Sequence, residues 1–269
     1  MARRKRRDTI ADLFDLEGRV ALVTGGAGHL GAQISEALAE AGSTVVIASR
    51  NLANCRKLAK EFESWGGKAL ALKLDITSDA SAKKCVAQVR KRCKRLDVLV
   101  NNALAGSFKP AARTTSKDMN ATLDGCLTSA HRLTREALPL LRKSDAASVI
   151  NVSTMYALVA PDPETYKGTR FLSPLGYGEA KAGMLQLTRR LAADLGEEGI
   201  RVNAISPGPF PHPHTTKSKL FMRRLARRCV LGRYGQPVEI KGAALFLASG
   251  ASSFVTGHNL VVDGGWTTR

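Results

Sequence analysis

Three things are scarce in this 269-residue chain, and each scarcity excludes something. No apolar stretch is long enough to cross a bilayer, so no membrane-spanning segment is expected. The five cysteines (Cys55, Cys85, Cys93, Cys126, Cys229) are odd in number, scattered and without a C-x-x-C pair. That argues against a disulfide framework and a zinc site and suits a reduced, cytoplasmic setting. Aromatic residues make up only 5%, too few and too dispersed for a base-stacking platform.

Acidic residues are also short, 23 against 41 lysines and arginines, for a formal charge of +18. The basic residues gather at 3–7, 83–95 and 217–228. Such a field attracts anions in general: nucleic acid, acidic proteins, phosphorylated or carboxylated substrates. With no nucleic-acid motif beside it, the charge reads first as solvated helix faces, and nucleic acid is not an expected partner. The run Arg3–Arg7 has no apolar stretch behind it, so no secretory signal is expected, and Asp8, Asp12, Asp15 and Glu17 argue against a transit peptide. Residues 1–17 read as a basic, flexible arm and 18–269 as one folded domain.

What is present is an ordered alternation. Apolar runs suited to buried strands start near Arg19, Thr44, Ala69, Val98, Ser148, Arg201 and Asn259. Segments with helical spacing lie between them, at about 29–41, 52–65, 79–95, 117–141, 175–196, 217–228 and 237–248. Residues 157–174 and 207–213 read as loops. Strand–helix alternation implies parallel strands covered on both faces: an α/β, single-domain, Rossmann-like doubly wound sheet.

The first strand runs into Thr24-Gly25-Gly26-Ala27-Gly28-His29-Leu30-Gly31, and an amphipathic helix follows. Strand, glycine turn and helix bring a pyrophosphate onto a helix N-terminus, where backbone N–H groups and the helix dipole favour negative charge. A carboxylate that binds a ribose 2′-hydroxyl belongs about twenty residues further on. Strand two ends instead in Ser49-Arg50-Asn51, which can hydrogen-bond and neutralise a 2′-phosphate, so NADP(H) is expected over NAD(H).

Tyr177 and Lys181 stand four apart on a helix and share a face. A free phenol titrates near 10, and a neighbouring ammonium is expected to favour the phenolate. The alternating His212-Pro213-His214 lack a carboxylate or thiol partner, so no metal is expected and a substrate-facing role is preferred.

Taken together the motifs resemble those of the short-chain dehydrogenases/reductases, from about Leu16 to Trp266. They are Thr24-Gly25 with its glycine turn, Leu74-Asp75-Ile76, Asn101-Asn102-Ala103, Tyr177-x-x-x-Lys181, Arg201-Val202-Asn203 with Pro207-Gly208, and Val262-Asp263-Gly264-Gly265. The resemblance implies a nicotinamide-dependent enzyme that interconverts a hydroxyl and a carbonyl, the cofactor carrying the hydride. By the same resemblance Gly25, Gly26, Gly28, His29, Leu30 and Gly31, then Ser49, Arg50 and Asn51, would bind the cofactor. Asp75 and Ile76 would meet adenine, Asn101, Asn102 and Ala103 would line the cleft, and Pro207 and Gly208 would pack by the nicotinamide. Tyr177 would be the acid/base, Lys181 its partner and a ribose ligand, and Thr154 the hydroxyl that orients the carbonyl, with Ser153 as fallback. A homodimer or homotetramer through the helices at 117–141 and 175–196 is implied too.

The chain departs from the family pattern at several places. His29 replaces a glycine of the turn, Leu104 replaces the glycine after Asn-Asn-Ala, and Cys126 aligns with an asparagine that supports proton relay. A thiol is a weak hydrogen-bonding group, and Cys126 reads as a buried structural cysteine. The insertion before Tyr177 resembles that of gluconate-type enzymes, which points to a sugar, sugar acid or related polar ketone. Two alternatives stand beside it. One is a 3-oxoacyl reductase whose basic helix receives an acidic carrier protein. The other is a catalytically weakened member that binds anions or nucleic acid.

Overall fold

Side-chain alternation along the strands builds two cores, one on each face of a single sheet. The computed structural model describes residues 9–107 and 109–268. A short helix α1 (Ile10–Phe14) precedes β1 (Val20–Thr24), followed by α2 (His29–Glu40), β2 (Thr44–Ser49), α3 (Leu52–Ser64) and β3 (Lys68–Lys73). Next come α4 (Asp79–Cys93), β4 (Val98–Asn101), α5 (Ser116–Leu123), α6 (Ser129–Leu141) and β5 (Ser148–Val152). The chain closes with α7 (Pro163–Tyr166), α8 (Tyr177–Leu195), β6 (Arg201–Pro207), α9 (Lys219–Arg228), α10 (Lys241–Ala248) and β7 (Asn259–Val262).

The sheet has seven strands in the order β3-β2-β1-β4-β5-β6-β7, every pair parallel. Successive strand side chains point to opposite faces. Val20 and Leu22 of β1 with Val46 and Ala48 of β2 therefore face α4, α6 and α8. Ala21 and Val23 with Val45 and Ile47 face α2, α3 and α10. A smaller cluster under α9 holds Met155, Phe221, Met222, Leu225 and Trp266. The doubly wound sheet expected from the strand–helix alternation is the fold observed.

Two expectations are corrected. Residues 9–17 are not a flexible arm: Thr9 caps α1 in a reciprocal capping box with Asp12, and buried Leu16 donates its N–H to Ala41 O at 2.8 Å. The basic run Arg3–Arg7 lies outside the described residues. The helix expected over 117–141 is broken by a π-helical turn at Asp124–Thr128. At that turn Gly125 lies against the 105 loop so closely that a Cβ would stand 2.2 Å from Ala105 O. Ala105 N donates back to Gly125 O at 3.3 Å, so the widened turn's carbonyl is taken by a neighbouring loop.

Strand order reverses on either side of β1 and β4. The loops after these strands diverge there and leave a crevice at their carboxyl ends.

Candidate functional site

In that crevice the first loop is the glycine turn. Gly25 takes a positive φ of 61°, open to glycine at little cost. A Cβ at Gly31 would stand 2.1 Å from Gly25 O, so the first turn of α2 packs on the loop only because side chains are missing. Gly28 is the N-cap of α2 and offers no side chain, so the helix N-terminus keeps its N–H groups for an outside acceptor. Gly26 has a packing role: a Cβ there would meet Val23 O and the Ser35 hydroxyl.

The asparagines after β4 hold this turn from the side. Asn102 Nδ2 donates to Thr24 O at 2.8 Å and Gly25 O at 3.3 Å. Thr24 Oγ1 accepts from the N–H of Asn102 and of Ala103, both at 2.9 Å. Asn101 lies deeper than expected and does not line the cleft. Its Nδ2 donates to Thr134 Oγ1 and Asn151 Oδ1, and Asn151 donates to Thr188 Oγ1 at 2.9 Å, a buried polar ladder across the sheet.

A cleft of about 370 Å³ opens over these loops. It brings together Gly25, Gly28, His29, Leu30 and Gly31 with Asn102, Ala103, Thr154, Tyr177, Lys181, Pro207 and Gly208. Leu104, Val152, Ser153 and Phe210 also line it. Leu104 stands where the sequence departs from the family's glycine, whereas Phe210 carried no sequence signal beyond its neighbours. A larger groove of about 770 Å³ lies over β3 between α3 and α4, and neither Tyr177 nor Lys181 lines it.

Tyr177 opens α8 directly after Gly176, whose φ of 91° turns the chain into the helix. Thr154, which follows β5, acts on the Tyr177 phenol and lines the same cleft. Ser153 is used otherwise, donating to Lys181 O at 3.0 Å. Lys181 is 1% exposed, and its Nζ donates to Val152 O at 2.6 Å.

Burial pushes the Tyr177 phenol up to about 12, opposed by the Thr154 hydrogen bond. Burial likewise lowers Lys181 below an ordinary lysine, opposed by nearby Cys126. The phenol is thus raised, against the expected tilt toward phenolate, because burial is the largest influence on it, and the Lys181 ammonium is itself desolvated. The proton stays on Tyr177 at neutral pH.

Cys126 sits in the π-helical turn, fully buried, with Sγ 3.6 Å from Ala105 O. Burial raises its thiol, opposed by Lys181, so it is not a thiolate nucleophile.

The remaining expected residues stand beyond the cleft, at the ends of β2 and β3. Ser49 Oγ donates to Asn51 O at 3.1 Å and lies 3.0 Å from Cys55 Sγ, and Asn51 caps α3. Arg50 is exposed and acts electrostatically on Asp75, whose carboxylate accepts from Thr77. Ile76 O accepts from Arg132 at 2.7 Å.

His29 packs on His212 with ring centroids 5.0 Å apart, and His212 on His214 at 4.7 Å. Burial, and His212 beside it, lower His29, while the backbone of Phe210 and Pro211 opposes the shift. This row of imidazoles leans the proline-rich loop on the glycine turn. Among the described residues no group of three or more His, Cys, Asp or Glu is placed to hold a metal.

The arrangement matches known proteins across its length. The family model described as enoyl-(acyl carrier protein) reductase matches residues 25–267. The 3-oxoacyl-[acyl-carrier-protein] reductase FabG of Thermotoga maritima is 34% identical over 251 residues, covering 93% of this chain and 98% of that protein. The 2-dehydro-3-deoxy-D-gluconate 5-dehydrogenase of Formosa agariphila is 29% identical over 259 residues, 94% of each. Among solved structures, a gluconate 5-dehydrogenase from Burkholderia cenocepacia in complex with NADP and tartrate superimposes with a TM-score of 0.87 at 30% identity. That likeness covers 97% of this chain and 100% of the other.

Proposed function

The chain belongs to the short-chain dehydrogenase/reductase family, and on that premise we propose an NADP(H)-preferring oxidoreductase that interconverts the carbonyl and hydroxyl of a sugar acid or related polar ketone. One observation carries the reading: Tyr177, Thr154 and Lys181 line the same cleft as the glycine turn.

The cradle fits a dinucleotide. Gly31 and Gly28 leave the close approach that a Cβ would fill, and the N-terminus of α2 has no side-chain cap to compete with a pyrophosphate. Gly25, His29, Leu30, Asn102 and Ala103 would hold its phosphates and ribose, and Pro207 and Gly208 would flank the nicotinamide. Ser49 and Arg50 would meet a 2′-phosphate, with Asn51, Asp75 and Ile76 around the adenine end. When bound, the nicotinamide supplies or accepts the hydride.

The chain's own residues handle the proton and the geometry. Tyr177 holds a proton at its phenol oxygen and delivers it to the substrate's carbonyl oxygen in reduction, or receives it in oxidation. Thr154 fixes the phenol and orients the same carbonyl. Lys181 fastens α8 to β5 and presents its charge behind the phenol. Asn101 supports the floor and is a positioning residue.

The substrate class rests on the sugar-acid relatives and on the polar insertion at 157–174. A 3-oxoacyl-carrier substrate is the second reading, favoured by the FabG relative and by α9, whose basic residues include Lys219, Arg223, Arg224, Arg227 and Arg228. We further propose a cytoplasmic homo-oligomer, since all five cysteines are free thiols and the family packs through helices equivalent to α5–α6 and α8. No helix among the described residues is long and apolar enough to cross a membrane.

A panel of sugar acids, polar ketones and 3-oxoacyl thioesters, followed at the NADPH absorbance with NADH alongside, tests the reading. Turnover of a sugar-acid ketone with NADPH supports it. Turnover confined to 3-oxoacyl carriers selects the second reading, and no turnover with any carbonyl rejects both.

A further inference from the structure

A separate cavity of about 440 Å³ opens between α7 and α9, and it shares no lining residue with the glycine-turn cleft. Thr165 in its wall is 2% exposed, yet its Oγ1 has no hydrogen-bond partner. The Nε of Arg228, in the same wall, is also buried without one. A buried donor left unpaired costs about 1–3 kcal/mol, and here two such groups belong to residues that line one cavity.

The acceptors there are already engaged. Asp162 accepts from Glu164 N at 2.9 Å as the cap of α7 and pairs with Arg228 Nη1 at 3.1 Å. Glu164 pairs with Lys167 at 2.9 Å. Arg224 donates to the carbonyl of Lys167, which satisfies an N–H without neutralising the charge. Donors and positive charge remain, and an anion with several acceptor oxygens is their complement.

We propose that the α7–α9 cavity binds a small oxyanion, a carboxylate or phosphate group, through Thr165 Oγ1, Arg228 Nε and the Arg224 guanidinium. The site is wired to the cleft. The Arg228 guanidinium lies over the Trp266 ring at 5.2 Å, and Trp266 meets Tyr156 edge-on at 6.3 Å. The Tyr156 hydroxyl lies 2.5 Å from that of Tyr166, which follows Thr165 directly and acts electrostatically on Tyr177. An oxyanion that draws α7 onto α9 thus sets the phenols beside Tyr177, and Trp266 reports its arrival.

The test is tryptophan emission of the full chain, with Trp65→Phe leaving Trp266 as the sole reporter. Inorganic phosphate and citrate are titrated against chloride at matched ionic strength, with and without saturating NADP. A saturable change with phosphate or citrate, absent with chloride and preserved under NADP, is expected. The tighter of the two identifies a phosphoryl or a carboxylate ligand. Thr165→Val is expected to weaken binding about threefold and Arg224→Gln about tenfold. No saturable change, binding unaltered in both variants, or binding abolished by NADP overturns the proposal; the last would assign the anion to the glycine turn. None of these readouts needs turnover, so failure of the enzymatic reading would leave them interpretable.

Discussion

The ammonium of Lys181 donates to the carbonyl of Val152 at 2.6 Å, so the helix that begins with Tyr177 is fastened to the strand that leads into Thr154. The bond ties the helix bearing Tyr177, the proposed acid/base, to the strand before Thr154, the proposed orienting hydroxyl. Lys181→Met removes both the bond and the charge. Turnover is expected to fall at least about a hundredfold, as for loss of a preorganised charge. The urea midpoint is expected to move little, because losing the hydrogen bond and relieving a buried charge oppose each other. Turnover within about threefold of wild type would remove Lys181 from the proposed chemistry.

Burial holds the Tyr177 phenol protonated, up to about 12, so the acid form prevails at neutral pH. In the proposed reaction reduction uses that form, and its kcat/KM is expected to stay flat from about pH 6 to about pH 9 and to fall only in more alkaline solution. Oxidation uses the conjugate base and is expected to climb over the same range. Tyr177→Phe is expected to abolish both directions while NADPH binding, read by fluorescence, changes less than about threefold. A reduction profile that falls through neutrality would contradict the assignment.

Arg50 is exposed just after β2 and acts electrostatically on Asp75, just after β3. Arg50→Ala is expected to weaken NADPH binding about tenfold and NADH binding hardly at all, the loss of one charge-assisted contact to a 2′-phosphate. Calorimetry with both nucleotides checks this, and equal losses would reject the NADP preference.

Cys126 is enclosed in the π-helical turn with its thiol raised by burial. Cys126→Ala is expected to keep turnover within about threefold and to cost about 1 kcal/mol of stability for the small cavity left behind. The native thiol is expected to resist alkylation until denaturant is added. A loss of turnover near a hundredfold, with stability intact, would place the sulfur in the proton path.

Gly31→Ala is the severe case, since its Cβ would meet the backbone oxygen of Gly25 at 2.1 Å. Backbone cannot step aside as a flexible side chain can. The variant is expected to lose dinucleotide binding or, where α2 shifts, several degrees of thermal midpoint. Wild-type affinity with an unchanged midpoint would show that the turn is looser than the structure indicates.

The strands and helices were legible in the sequence because each apolar run alternates between two buried faces. Val20 and Leu22 against Ala21 and Val23 is the pattern in miniature. Much of the candidate site was legible too, because glycines and the Tyr177–Lys181 spacing are demanded by local geometry. What escaped depends on contacts distant in the chain. The break at Asp124–Thr128 follows from Gly125 meeting Ala105, and helical periodicity cannot reveal such a contact. Asn101 carries the same side chain as Asn102, but it faces Asn151 and Thr134 across the sheet and not the cleft. The protonation of Tyr177 depends on how much water the fold excludes, a sum over many neighbours.

The ladder from Thr134 through Asn101 and Asn151 to Thr188 has a consequence for how this chain can change. Asn101 donates to Thr134 and Asn151, and Asn151 to Thr188, with Asn101 Oδ1 alone of these groups left without a partner, so an apolar replacement at one rung strands the group it served. Substitutions there are coupled, and their costs will not add as those of independent sites do. A variant that loses Asn101 leaves Asn151 Oδ1 without its donor, and a matching change at Asn151 is expected to recover part of the cost. The centre of the sheet must drift as a set, while the loops above it remain free to vary one residue at a time.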